Sequence, residues 1–76
     1  MDFPQYRKRF DNKSYYKLLN ERTMQEVQRI GEKSFVFNFV AEKYFEIIHF
    51  QDILTSKEGL YIEISEGEYN SMLTLE

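Results

Sequence analysis

Apolar and aromatic residues fall in short runs separated by polar clusters, and one layout occurs twice, 45 residues apart. Tyr15-Tyr16-Lys17-Leu18-Leu19-Asn20-Glu21 and Leu60-Tyr61-Ile62-Glu63-Ile64-Ser65-Glu66 each read as a strand running into a polar helix cap. Behind each cap an apolar residue recurs every third position, at Met24, Val27 and Ile30 and again at Tyr69, Met72 and Leu75. That spacing keeps the apolar groups on one side of a helix. The pattern therefore predicts a strand followed by a short amphipathic helix, two times over.

The rest of the chain fills in around these units. Proline holds Phe3 extended, and Gln5 to Phe10 reads as a strand with Tyr6, Lys8 and Phe10 on one face and Gln5, Arg7 and Arg9 on the other. Asp11-Asn12-Lys13 carries turn chemistry, because Asp and Asn side chains bond nearby backbone and tolerate positive φ. Ser14 to Leu19 returns as the second strand of a hairpin. The first helix begins at Asn20, or at Thr23 with Glu26 as a capping box, and ends at Gly31. From Lys33 to Val40 the period changes to two, with Phe35, Phe37 and Phe39 facing one way and Val36, Asn38 and Val40 the other. Ala41-Glu42-Lys43 is short enough to turn the chain, so Tyr44 to Phe50 is expected as the partner strand. Gln51 to Glu58 reads as a loop or one helical turn, Leu60 to Ile64 as the last strand, and Ser65 with Glu68 as the cap of the second helix.

The expected fold is α+β, a small antiparallel sheet with two short helices in the order β-β-α-β-β-β-α. With 76 residues the chain forms a single domain, residues 1–76, and buries only about 60% of the surface its unfolded form exposes. Leu75-Glu76 is a dipeptide of the kind cloning vectors leave behind, so Glu76 takes no part in the functional argument and little weight is put on Leu75. Seven Phe and six Tyr suit a small core that relies on large side chains, and they suit an interface equally. The chain has no cysteine and one histidine, so neither disulfides nor a conventional zinc site stabilises it, and no metal or other cofactor is expected. No apolar run approaches the ~20 residues of a membrane span, and the opening lacks the basic and apolar segments of an export signal, which makes the cytoplasm the expected compartment.

The net charge of −3 is unevenly distributed: residues 1–17 carry +3 and the remainder −6. Arg7, Arg9 and Lys17, interleaved with aromatic residues such as Tyr15, resemble the phosphate and stacking contacts of a single-strand nucleic-acid surface. Against this, dedicated binders are usually basic overall, and the same cations also serve as solvating or edge-protecting groups. His49 is the only residue of a type whose ordinary pKa lies near neutrality, and Asp52 lies close in sequence, but no nucleophile motif surrounds any of the five serines, so no enzyme is expected. Glu63, Glu66 and Glu68 lack the spacing of a calcium loop, and cap and dipole roles account for Glu66 and Glu68.

Read whole, the chain resembles a family of short bacterial proteins without an assigned activity. The likeness rests on Phe3-Pro4-Gln5-Tyr6-Arg7-Lys8, Lys13-Ser14-Tyr15-Tyr16-Lys17, Ile30-Gly31, Phe39 with Ala41, Gln51-Asp52-Ile53-Leu54 and Glu66-Gly67-Glu68-Tyr69. It covers nearly the full length and implies no functional residue, cofactor or partner. Where the family has a charged, proline-containing connection, this chain has Tyr44 to Phe50.

The functional expectation follows from the second hairpin, which has more apolar surface than two short helices can hide. The phenylalanine stripe is expected in the core. Val36, Val40, Tyr44, Ile48 and Phe50 are then left for an interface with a second copy or another protein. The chain accordingly reads as a small interaction or accessory domain that self-associates through its sheet, with nucleic-acid binding through the first hairpin as the alternative.

Overall fold

The computed structural model describes residues 2–73 of the chain. Five strands, β1 (Gln5–Arg9), β2 (Ser14–Leu18), β3 (Thr23–Ile30), β4 (Lys33–Val40) and β5 (Tyr61–Glu63), form one antiparallel sheet in the order β4-β3-β2-β1-β5. Helix α1 (Tyr44–Thr55) follows β4, and α2 (Glu66–Leu73) follows β5. The fold is α+β as expected, but the element order is β-β-β-β-α-β-α. Leu75, the last apolar position of the second helical pattern, and the Leu75-Glu76 dipeptide lie outside the described residues.

Two segments take the opposite structure from the expected one. Thr23–Ile30 is a strand, paired along its length with β4 from Thr23 opposite Val40 to Ile30 opposite Lys33. In a strand, residues three apart point to opposite faces. Met24 and Val27 therefore enter different cores, and the spacing that mimics a helix reflects a strand covered on both sides. Gly31 has φ +64° as the sequence suggests, but it opens a two-residue hairpin loop rather than closing a helix, a position where positive φ costs glycine nothing.

Tyr44–Thr55, expected as a strand and a loop, is one helix. The Glu46 carboxylate accepts a hydrogen bond from the Lys43 backbone N–H at 2.9 Å and secures the first turn. Ile47, Phe50, Ile53 and Leu54 then recur at helical spacing and face the sheet. Ser56, left-handed at φ 54°, ends the helix.

One helix lies on each face of the sheet. Under α1, Tyr16, Leu18, Met24, Phe50, Ile53 and Tyr61 make the larger core, with Ala41 at its margin. On the other face Tyr15 and Val27 bury against Tyr69 of α2, flanked by Tyr6, Ile64 and Met72. The Tyr69 hydroxyl donates to Gln25 Oε1 at 2.8 Å, which anchors α2 to β3. Ser65 Oγ accepts from the Glu68 N–H at 3.1 Å, the cap expected for this helix.

These cores generate two predictions. Ile53 is fully buried, so Ile53→Ala should cost about 2–5 kcal/mol by transfer loss and cavity formation, read as a lowered urea midpoint. Burial pushes the Tyr16 phenol up from 10.0 to about 12, with the Glu26 carboxylate adding to it, and burial raises Tyr69 as well. A raised pKa means that the folded state holds its proton more tightly. This stabilisation is complete below pH 10, the unfolded value, and disappears as pH rises through the folded one. Thermal melts from pH 9 to 12 should therefore show stability falling above pH 10, with late phenolate absorbance appearing together with unfolding.

Candidate functional site: an aromatic open sheet edge

Strand β4 is eight residues long, lies at the edge of the sheet and has apolar side chains on both faces. Its register with β3 puts Phe35, Phe37 and Phe39 on the α1 face, opposite Gln28, Glu26 and Met24. Val36 and Val40 are on the α2 face, opposite Val27 and Thr23. All five are between 40% and 58% exposed. The phenylalanine stripe is thus not core, as the alternating pattern suggested, because α1 lies over the middle of the sheet and stops short of its edge. The Phe37 and Phe39 rings stack with centroids 6.3 Å apart.

The backbone of this edge is open as well. The Ala41 N–H donates to the Arg22 carbonyl at 2.7 Å. This contact fixes the alternation of the antiparallel ladder, so the odd-numbered residues of β4 turn their N–H and C=O groups towards β3. Ser34, Val36, Asn38 and Val40 consequently present theirs outward. Free backbone groups flanked by exposed aromatic side chains form a ready template for another strand.

The remaining expected interface residues divide. Tyr44, the first residue of α1, is 79% exposed. Ile48 is half-buried on the same helix. Phe50 belongs to the core, only 2% exposed; its placement in an interface assumed a strand, whereas helical geometry turns it inward.

The basic set expected for nucleic acid does not form a common surface. Arg7 and Arg9 share the α1 face and Tyr15 and Lys17 the α2 face, as the ladder registers require. Arg7 and Tyr15 are buried. The Arg7 guanidinium donates to the carbonyls of Leu54, at 3.2 Å, and Tyr6, at 2.9 Å, and so ties the end of α1 to the sheet. Arg9 pairs with Asp11 at 3.3 Å and lies over the Phe10 ring. Lys17 is half-buried.

His49 is exposed on α1 and makes no hydrogen bond with Asp52 among the described residues. The acidic residues near α2 are separately engaged: Glu63 with Arg7, Glu66 with the Tyr6 hydroxyl and Glu68 with Lys8. Among the described residues no group of three or more His, Cys, Asp or Glu side chains is arranged to hold a metal ion. None of the described helices is long and apolar enough to cross a membrane.

Glu26 is the residue whose role the sequence hid. Read as the capping partner of Thr23, it is instead a buried carboxylate in mid-strand, beside the aromatic edge. Only a strand reading of Thr23–Ile30 would have put it on the face of Phe37.

Arg7 serves as a structural tether, so Arg7→Ala should lower stability by about 1–3 kcal/mol through its lost charged hydrogen bonds. The exposed Arg9→Ala should stay within about 0.5 kcal/mol of the parent. Urea denaturation of both variants distinguishes these outcomes. The Glu63 ion pair adds little, since its carboxylate is largely exposed and 3.8 Å away.

Comparison with known proteins finds no family model, no curated protein and no solved structure that matches this chain.

Proposed function

We propose that this protein is a protein-interaction or accessory domain that self-associates through its sheet, β4 of one copy pairing antiparallel with β4 of another. The observation that carries the reading is the combination of an eight-residue edge strand with exposed apolar side chains on both faces. Such an edge is an aggregation hazard unless something pairs with it.

The sequence of β4 also suits pairing with itself. Phe35-Val36-Phe37-Asn38-Phe39 is nearly palindromic about Phe37. A two-fold axis through that residue sets Phe37 against Phe37 of the partner subunit and Phe35 against Phe39 of the partner subunit. It also sets Val36 opposite Asn38 of the partner subunit and Ser34 opposite Val40 of the partner subunit. Those even-numbered residues have the outward backbone groups, so side-chain match and hydrogen-bond match arise in the same register. A closed two-fold contact of this kind uses both edges and leaves none to propagate.

Light scattering after gel filtration should give about twice the 9.3 kDa chain mass. Val36→Lys, which puts a charge on the edge, should give the monomer mass with the fold retained. A wild-type chain that is monomeric at high concentration overturns the reading. The register is tested separately, because the chain has no cysteine of its own. Phe37→Cys should oxidise to a cross-linked dimer and Val36→Cys should not. A dimer that cross-links through Val36→Cys instead keeps the association and rejects the axis at Phe37.

A further inference from the structure

Between the start of α1 and the β3–β4 half of the sheet lies an open cleft of about 260 Å³. Its walls are the rings of Phe39, Phe45 and Phe50, with Met24 beside them. Glu26 lines the same cleft and is only 9% exposed. Its one hydrogen bond among the described residues comes from the neutral Gln28 amide, at 3.0 Å to Oε2. No described lysine, arginine or histidine forms an ion pair with it. Glu46 and His49 stand on the same lining, and no lysine or arginine does.

The geometry points to a binding site for a small organic cation, an alkylammonium or alkylguanidinium group the size of one basic side chain. A carboxylate with most of its surface out of water and no cationic partner is costly, and a cation entering the cleft offsets that cost. Aromatic faces attract the same charge, and their attraction grows as water is excluded. An anion would meet two carboxylates, and a purely apolar ligand would strip the remaining water from Glu26 with nothing in return. Size narrows the class further, since pockets for drug-sized ligands run from about 300 to 1,000 Å³. The shared chemistry fits either a free amine or guanidine, or a lysine or arginine side chain offered by another polypeptide.

The test is titration with n-butylguanidinium, n-butylammonium and uncharged n-butanol, followed through the NMR signals of Phe39, Phe45 and His49. Both cations should give saturable shifts, and butanol should give none at the same concentrations. Glu26→Gln should weaken cation binding at least tenfold. Phe45→Ala, which removes an exposed ring and leaves the core intact, should weaken it several-fold and decides the matter if Glu26→Gln does not fold. A blocked tripeptide with central arginine, titrated beside n-butylguanidinium, separates the sources. Tighter binding of the peptide identifies a polypeptide donor, and weaker binding a free small cation. Equal binding of butanol and the cations, or unchanged affinity in either variant, overturns the proposal. Light scattering reads the self-association and these NMR shifts read the cation, so either proposal can fail without the other.

Discussion

One helix per face is too little cover for a sheet of five strands, and most features of this molecule follow from that mismatch. A helix with its side chains is about 10–12 Å across. The outer strands of a five-stranded sheet lie roughly 19 Å apart at about 4.8 Å per step. A single helix therefore hides two or three strands. Here α1 lies over the middle of the sheet and α2 extends from β1 and β2 to β4, while Leu18 and Val27 reach full burial on opposite faces. Both edge strands keep exposed side chains even so, and they manage them differently. Strand β5 has three residues and is brief enough to need no protection. Strand β4 has eight residues, and its only charge is Lys33 at the start.

Natural edges are usually guarded by lysine, proline, a bulge or shortness. In β4 the registered pairing with β3 runs unbroken from end to end, so no bulge twists the edge away. Its polar interior residues are Ser34 and Asn38, neither of which repels another strand. A chain this small has marginal stability. An aromatic edge without these guards exposes every copy to pairing, and the proposed two-fold contact would satisfy the edge without building a fibre.

The same covering explains which parts of the fold the sequence revealed. The first hairpin alternates plainly, the Asp11-Asn12-Lys13 turn has its expected positive φ at Asn12, and the Ser65 cap of α2 acts through its side chain. These features depend on local chemistry. Strand β3 was hidden because both its faces are covered: Met24 and Val27 are needed on opposite sides, and their three-residue spacing imitates a helix. Helix α1 was hidden because Tyr44 and Ile48 add exposed or half-buried apolar groups to the face away from the sheet, and Phe45 adds another at the cleft on its flank. The helical signal at Ile47, Phe50, Ile53 and Leu54 becomes visible only when the window extends beyond Phe50. The excess of apolar surface between Lys33 and Phe50 was legible. Which side chains carried it was not, because the phenylalanine stripe looked like core and Phe50 looked like surface.

Phe39 joins the two proposed sites. It is the last ring of the exposed stripe and also a wall of the Glu26 cleft. In a pairing centred on Phe37 its outer side meets Phe35 of the partner subunit, while its inner side faces the cleft and Phe45. Two events that hold the same ring need meet its ordering cost only once, so each favours the other. Where both proposals hold, linkage makes that effect reciprocal, and a cation at Glu26 would strengthen the pairing of β4 by the same factor that pairing would strengthen the cation's hold. Such coupling requires no movement of the backbone. It requires only that the exposed half of one phenylalanine ring has two sides, one turned to the open edge and one to a buried carboxylate.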